Sequence, residues 1–310
     1  MARWAKIAIV APKSLDLEDN LSYSQIVKRM KEHWRRQFEC VLHDSPDLIV
    51  VPEVCDRPAG MNGKQAIEYY RERGNQIGEL FARIAKDNSC YITYSAVRML
   101  DDGTFRNATI LFDRTGSVAG IYDKNHPTSG EIEVNILPGN NASVIECDFG
   151  RVACAICFDL NFDELRLQYV KQSPDLILFS SMYHGGDTVQ GNWAYSCRAY
   201  FVGAIAPHDC PSQIRNPFGQ VVASTTNYFP FTVKMINLDY CLAHLDFNWE
   251  KLNALKKKYK QEVEIYDPGL VGAVMIASNT DKSAINLARE FDIELVDEYF
   301  ERSLKMQGKQ

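Results

Sequence analysis

The pentapeptide Ser-Pro-Asp-Leu-Ile occurs twice in this chain, at residues 45–49 and again at residues 173–177. Both copies follow a segment with helical periodicity and open an apolar run that is typical of a buried strand. The first strand ends at Pro52-Glu53, whereas a strand at 151–156 and a helix at 162–171 precede the second copy. This repetition indicates two related β-α-β halves, which can pack as two sheets covered by helices.

The rest of the first half fits the same plan. Residues 6–11 have a buried-strand pattern, and residues 21–38 are predicted to form a helix with an apolar stripe. One further helix is predicted over residues 67–86. Residues 91–97 and 105–112 are predicted to pair as a hairpin, because a turn sequence rich in Asp and Gly separates them.

The sheet pattern fades in the last part of the chain. Residues 247–258 and 284–303 have helical patterns, and we expect no separate core in this part. We therefore predict a main domain over residues 1–240. Residues 241–310 are predicted to form a helical extension that docks on this domain or on a sister subunit.

The composition of the 310-residue chain is that of a globular protein with a full core. A net charge of −6 argues against nucleic acid as the main partner, because phosphate binding requires a basic surface. No stretch approaches the roughly 20 apolar residues of a membrane span, and no signal peptide is recognisable. The nine cysteines are scattered, which indicates reduced thiols and a cytoplasmic location.

Two candidate reactive residues stand where sites form in such sheets, beyond the carboxyl ends of strands. Glu53 follows an apolar run and must be paired or solvated in a cleft. Cys157 follows a strand and precedes a helix, where backbone N–H groups and the helix end favour the thiolate. A buried structural cysteine is the alternative. Lys124 ends a short strand, and taken alone it would be a solvated surface residue.

A metal or redox role for the Cys154-x-x-Cys157 pair is not expected. Residues three apart on one strand point to opposite faces of the sheet, so the two sulfurs do not converge. No second pair completes a zinc site with four ligands. The sequence therefore implies neither a metal nor a cofactor.

Three segments resemble, in order and spacing, the catalytic motifs of the nitrilase (carbon–nitrogen hydrolase) superfamily. They are Pro52-Glu53, residues 122–126 (YDKNH) and residues 157–164 (CFDLNFDE). The similarity extends from about residue 5 to residue 240 and includes supporting segments such as Arg106-Asn107-Ala108-Thr109. Phe158-Asp159 after the cysteine resembles the amidase branches, whereas true nitrilases usually have Trp-Glu there.

The resemblance implies an α/β fold, a four-layer αββα sandwich, and a Glu-Lys-Cys triad. Glu53 then takes the position of the general base, Lys124 that of the lysine and Cys157 that of the nucleophile. Lys124 and the backbone N–H of Phe158 would hold the developing oxyanion. Glu131 resembles a second glutamate of the family that orients substrate and lysine, with Glu133 nearby as the alternative.

The resemblance also suggests which residues shape the pocket. Candidate substrate-binding residues are Phe158, Tyr183, His184 and His126. His184 has a structural role as its alternative, and His126 is better suited to supporting Lys124. Some relatives place arginine after the cysteine to bind a substrate carboxylate, but this chain has Leu160-Asn161-Phe162 there.

The sequence thus predicts an amidohydrolase that acts on a small linear amide or carbamoyl compound without cofactor or metal. One alternative is an acyltransferase that passes the acyl group from the same thioester to another nucleophile. A second alternative is a catalytically silent scaffold of the same fold. The resemblance also implies a homodimer that pairs through helices near the site.

Overall fold

A computed structural model gives the fold of this chain. It describes residues 2–17, 21–61, 63–183, 185–206, 210–269 and 271–309. The chain divides into two compact units, one formed by Lys6–Lys234 and the other by Met235–Gln310 together with Met1–Ala5. Within the described ranges, every helix is too short or too polar to cross a membrane.

The first half of the larger unit contains a sheet with helices on its outer face. Its elements are β1 (Trp4–Val10), α1 (Tyr23–Leu42), β2 (Leu48–Val50), α2 (Gly63–Arg73), α3 (Gln76–Asp87), β3 (Tyr91–Met99), β4 (Phe105–Phe112) and β5 (Val118–Asp123). Strands β1, β2 and β3 are parallel, and β4 and β5 continue the sheet antiparallel. The hairpin of β3 and β4 confirms the sequence prediction.

The second half repeats this order. Its elements are α4 (Ser129–Glu133), β6 (Ile145–Glu146), β7 (Arg151–Ile156), α5 (Asp163–Gln172), β8 (Leu176–Ser181), α6 (Gly186–Cys197), β9 (Tyr200–Ile205), β10 (Gln213–Arg215), β11 (Val221–Ser224) and β12 (Phe231–Asn237). The sheets have the orders β12-β1-β2-β3-β4-β5 and β11-β10-β9-β8-β7-β6. Strands β7 to β11 therefore correspond to β1 to β5, which confirms two related halves and the predicted sandwich class.

The repeated pentapeptide has the same structural role in both halves. In the first copy, the Asp47 backbone N–H donates to the Lys6 carbonyl at 2.8 Å, and its carboxylate accepts from the Lys6 N–H at 2.8 Å. In the second copy, Asp175 makes the same two bonds with Arg151, each at 2.8 Å. Each aspartate thus fixes the start of one parallel strand against the start of its neighbour.

The outer face of the first sheet is covered by an apolar layer. The predicted stripe of α1, formed by Ile26, Met30, Trp34 and Phe38, is buried. Phe81 of α3 packs edge-on against Phe38, with 4.9 Å between the ring centroids. Burial of this stripe, rather than helix propensity alone, stabilises α1 where it stands.

The prediction of a single helix over residues 67–86 is wrong in one respect. The structure has two helices, because α2 ends at Arg73 and α3 begins at Gln76. Gly74 lies between them with φ of +51°. A residue in the left-handed region ends an α-helix, and glycine adopts that region at little cost.

The smaller unit confirms helices at the end of the chain, but it also has a sheet and a core of its own, which the sequence did not predict. It contains β13 (Tyr240–His244), α7 (Trp249–Tyr259), β14 (Val263–Tyr266), β15 (Ala273–Ser278), α8 (Ala284–Glu290) and α9 (Val296–Met306). The strands form an antiparallel sheet in the order β13-β15-β14. Leu252, Leu255, Ile276 and Leu287 belong to a buried cluster of this unit. The predicted boundary at residue 240 and the docking of the extension stay predictions.

Candidate active site

The three residues of the predicted triad all follow strands of the larger unit. Glu53 lies just beyond β2, and Lys124 directly follows β5 in the same sheet. Cys157 directly follows β7 of the other sheet and begins a short 3-10 turn, Cys157–Asn161. The site is therefore assembled from the ends of strands in both halves of the repeat.

Lys124 is buried between two carboxylates. Its Nζ donates to Glu53 Oε1 at 2.8 Å and to Glu131 Oε2 at 2.9 Å, and only 2% of the residue is exposed. Burial alone would lower the pKa of the Lys124 ammonium, but the two carboxylates outweigh burial and raise the pKa above its ordinary value. Lys124 is therefore a fixed positive charge at neutral pH.

Glu131, rather than the exposed Glu133, is the second glutamate of this cluster. Its position is set by the start of α4, because the Thr128 backbone N–H donates to Glu131 Oε2 at 2.7 Å in a capping box. Burial acts to raise the pKa of the Glu131 carboxyl, but the Lys124 charge prevails and the pKa is lowered. The carboxylate stays ionised beside the lysine.

Asn107 is a residue of the site that the sequence reasoning did not select. Its Nδ2 donates to Glu53 Oε1 and to Glu131 Oε1, each at 2.7 Å, and the side chain is buried. It lies on β4, and its carbonyl accepts from the Lys124 N–H at 2.8 Å. One amide group thus holds both acids in place. Its own Oδ1 is buried without a partner among the described residues.

Glu53 also joins the two sheets. While its Oε1 accepts from Asn107 and Lys124, its Oε2 accepts from the backbone N–H of Met182 at 2.9 Å. Met182 directly follows β8 of the second sheet. With three hydrogen bonds and 4% exposure, the carboxylate of Glu53 has little freedom to rotate.

The environment of Cys157 favours the protonated thiol, against the expectation that the helix end would favour the thiolate. Burial raises the pKa of the Cys157 thiol to about 11, and the Glu53 carboxylate adds to the rise. Lys124 and a hydrogen bond from Ser181 act in the opposite direction but are outweighed. The helix dipole that was expected to favour the thiolate is weak here, because the segment after Cys157 is only a short 3-10 turn.

The backbone at Cys157 is also unusual. Its φ is +46°, a region that non-glycine residues occupy only where surrounding contacts enforce it. Asp159 supplies such contacts, since it accepts from the Ile156 N–H at 2.9 Å and from the Tyr122 hydroxyl at 2.7 Å. The turn that carries Cys157 is therefore tied to the strand that leads to Lys124.

The candidate pocket residues have different environments. Phe158 and Tyr183 are 39% and 62% exposed, so their side chains are available to a ligand. His126 instead donates its backbone N–H to Asp159 Oδ1 at 2.9 Å, and its ring stacks on Phe162 with 3.9 Å between centroids. This supports the interpretation of His126 as a residue that holds the Lys124 segment. His184 lies outside the described residues.

Comparison with known proteins agrees with this geometry. Residues 6–222 match the family model of carbon-nitrogen hydrolases. The chain is 23% identical over 198 residues to the omega-amidase NIT2 of Homo sapiens, which covers 57% of this chain and 71% of that protein. It is 24% identical over 260 residues to a deaminated glutathione amidase of Dictyostelium discoideum, covering 72% of this chain and 88% of the relative.

Other relatives are matched over less of their length or only in fold. The chain spans 62% of a hydrolase of Schizosaccharomyces pombe and 52% of the omega-amidase NIT2-B of Xenopus laevis. A solved amidase from Nesterenkonia sp. has a TM-score of 0.63 at 15% identity, covering 76% of this chain and 91% of the other. The family match spans most of the chain and includes Glu53, Lys124 and Cys157. This chain belongs to the carbon-nitrogen hydrolase family.

Proposed function

We propose that this protein hydrolyses the carbon–nitrogen bond of a small linear amide or carbamoyl compound through a thioester on Cys157. The observation that carries the proposal is the buried cluster of Glu53, Lys124, Glu131 and Asn107 beside the thiol. It combines a base, a fixed cation and a nucleophile, which acyl transfer through cysteine requires. Glu131 and Asn107 position the other members of the cluster.

In the first half of the reaction, the Cys157 sulfur attacks the substrate carbonyl while Glu53 accepts the thiol proton. A thiol whose pKa is about 11 is nearly fully protonated at neutral pH, so attack needs this base. Negative charge then develops on the carbonyl oxygen, where the Lys124 ammonium and the Phe158 N–H stabilise it. As the tetrahedral intermediate collapses, Glu53 protonates the leaving nitrogen, and ammonia or an amine departs.

In the second half, water replaces the departed amine. Glu53, again a carboxylate, accepts a proton from water as the oxygen attacks the thioester carbonyl. Collapse of the second tetrahedral intermediate breaks the carbon–sulfur bond, and the sulfur recovers a proton from Glu53. The sum is amide plus water giving acid plus ammonia or amine, with the enzyme unchanged.

The surroundings of the thiol support an uncharged acyl group. Asn161, in the segment where some members of the family have arginine, donates its side-chain amide to the Phe158 carbonyl at 3.0 Å. An amide group there offers no positive charge to a substrate carboxylate. The Nesterenkonia amidase has been solved with butyramide and with an acetamide adduct on its active-site cysteine, and amides of this size are the first substrates to try.

The proposal is tested by ammonia release from primary amides, ω-amides and carbamoyl compounds. We expect turnover by the native protein, none by Cys157→Ala, and retained turnover by Cys154→Ala, a matched variant at a buried thiol. Added hydroxylamine should divert the thioester to a hydroxamate. Equal activity of the native protein and Cys157→Ala would refute the mechanism, and transfer to amines without hydrolysis would favour an acyltransferase.

A further inference from the structure

Three buried hydroxyl groups form a chain between the two sheets of the sandwich. The Oγ atoms of Ser95 and Ser180 are 2.7 Å apart, and Ser95 Oγ lies 3.0 Å from Thr109 Oγ1. Ser180 Oγ donates to the carbonyl of Val51 at 2.8 Å. None of the three hydroxyl-bearing residues is more than 1% exposed.

The proton positions among these three hydroxyl groups follow from the number of hydroxyl hydrogens available. Each hydroxyl has one proton to donate, and that of Ser180 is committed to the Val51 carbonyl. Ser95 must therefore donate to Ser180, and Thr109 must donate to Ser95. The bonds run in one direction, from Thr109 to Val51, and such aligned chains strengthen one another in a low-dielectric interior.

The chain of hydroxyl groups crosses from one sheet to the other. Thr109 and Ser95 face each other on β4 and β3, and Val51 follows β2 in the same sheet. Ser180 lies on β8 of the second sheet. Apolar side chains could fill the space between the sheets without this cost, because a buried hydroxyl that lacks a hydrogen bond destabilises the fold. A row of hydroxyl groups that are all hydrogen-bonded fixes the position of one sheet relative to the other more specifically than apolar packing does.

Three of the four segments that the hydroxyl chain joins lead within two residues to a group of the active site. Val51 precedes Glu53, and Thr109 follows Asn107, the amide that holds both acids. Ser180 precedes Ser181 and Met182. The first of these acts to lower the pKa of the Cys157 thiol, and the backbone N–H of the second binds Glu53.

We propose that Ser95, Ser180 and Thr109 are positioning residues, which set the distance between Glu53 on one sheet and the thiol environment on the other. The inference rests on the proposed function, because it takes proton transfer from Cys157 to Glu53 as the step that needs this distance. Loss of these hydrogen bonds between hydroxyl groups lets the two sheets shift by a fraction of an ångström. Displacements of about 1 Å can cost roughly 100-fold in rate, so a smaller shift costs about tenfold.

The central test replaces Ser180 by alanine and compares it with Ser278→Ala. Ser278 is equally buried, but it lies in the smaller unit and bonds Lys282. We expect both variants to lose stability, and only Ser180→Ala to lose kcat, by about tenfold with little change in KM. Alkylation of Cys157 by chloroacetamide at pH 7, read from the mass of its peptide, should become faster, because a Glu53 carboxylate held less closely to the thiol raises the pKa of the thiol less.

A second pair of variants separates the hydroxyl from the volume of the side chain. Thr109→Val keeps the shape and removes the proton donor, whereas Thr109→Ser keeps the donor and removes a methyl group. We expect the valine variant to lower kcat and to speed alkylation, and the serine variant to match the native protein. This pair keeps the proposal testable if Ser180→Ala does not fold.

The outcomes distinguish the two proposals. Unchanged kcat and alkylation in Ser180→Ala and Thr109→Val, together with an active native protein, would overturn the positioning role alone. If the native protein lacked turnover and Glu53→Gln alkylated as fast as the native protein at pH 7, the proposed function would fail. Faster alkylation in Thr109→Ser than in Thr109→Val would also contradict the positioning role.

Discussion

The Cys157 thiol is held between two groups that act on it in opposite directions. After burial, the Glu53 carboxylate is the largest cause of the raised pKa, and Lys124 is the main cause acting against it. In the proposed mechanism, the resting protein therefore has a thiol with a carboxylate beside it, and the nucleophile is generated only when the proton moves. This arrangement limits the reactivity of the sulfur before substrate arrives.

Removal of the charge on Glu53 should separate thiol acidity from catalysis. In Glu53→Gln we expect the pKa of Cys157 to fall below about 11, because the carboxylate that disfavours the thiolate is gone. Turnover should nevertheless fall by about 10²–10⁴, because the base is lost. The rate of chloroacetamide alkylation of Cys157 against pH, and ammonia release, measure the two effects.

Lys124→Met is the control for this prediction, because it removes the opposing charge. Its alkylation profile should move to higher pH, with turnover also reduced. A profile of Glu53→Gln that moved to higher pH, or coincided with the native one, would show that Glu53 does not control the thiol.

The sequence could identify some residues of the candidate site but not others. Glu53, Lys124 and Cys157 each follow a strand within a recognisable motif, so their positions could be predicted. Asn107 and Met182 could not be selected, because their roles depend on contacts with residues far away in sequence. The raised pKa of Cys157 could not be predicted from its motif, because burial, its largest cause, is a property of the folded chain.

At the scale of elements, the turn after β2 is a strained segment. Val54, next to Glu53, has φ of +41°, which is unfavourable for a β-branched residue and costs about 1–3 kcal/mol. The turn is held by hydrogen bonds from Trp34 Nε1 to the Cys55 carbonyl and from the Cys55 N–H to the Ser95 carbonyl, both at 2.9 Å. These contacts keep Glu53 directed into the site.

A buried ion pair anchors the same turn to α2. The carboxylate of Asp56 is fully buried and binds the Arg73 guanidinium and the Tyr94 hydroxyl. Arg73→Met leaves that carboxylate without its cation, so we expect the free energy of unfolding to fall by about 3–5 kcal/mol. Urea unfolding followed by tryptophan fluorescence measures this change.

The matched control is Arg289→Met in the smaller unit. Arg289 pairs with Glu298 at the surface, where its side chain is 53% exposed, and such pairs contribute about 0–1 kcal/mol. If the two variants were equally stable, the buried pair would not be what holds the turn.

Helices and strands were predictable from sequence where the pattern of apolar residues extended over a long segment or was repeated. The stripe of α1 and the hairpin of β3 and β4 are long enough to be read directly. The break between α2 and α3 depends on one glycine with positive φ, which the continuing apolar pattern conceals. Strand β15 was missed because its short, continuous apolar run has no alternation to distinguish a strand from a helix.

At the scale of the molecule, the repeat explains why the site lies where it does. Strands β1 to β5 and β7 to β11 have the same order and direction, so the ends of their parallel strands supply Glu53 and Cys157. The sequence predicted this plan from one repeated pentapeptide. The core of the smaller unit was not predictable, because β13 pairs with β15 across the intervening α7 and β14.

The homodimer stays a prediction that follows from the resemblance, which implies pairing through helices near the site. Helix α5 begins shortly after Cys157, and Leu167 on it is 49% exposed. We expect light scattering to give about twice the chain mass of 35.2 kDa. Leu167→Lys should shift the protein toward the monomer, because a buried lysine without a partner opposes association.

Val118→Lys is the control for this substitution, since Val118 is 51% exposed on β5 and lies away from α5 in the chain. It should leave the mass unchanged. A native mass near 35.2 kDa would refute the dimer itself. A dimer that survives Leu167→Lys would instead exclude pairing through the exposed face of α5, because two introduced ammonium groups would then meet without a measurable cost in association.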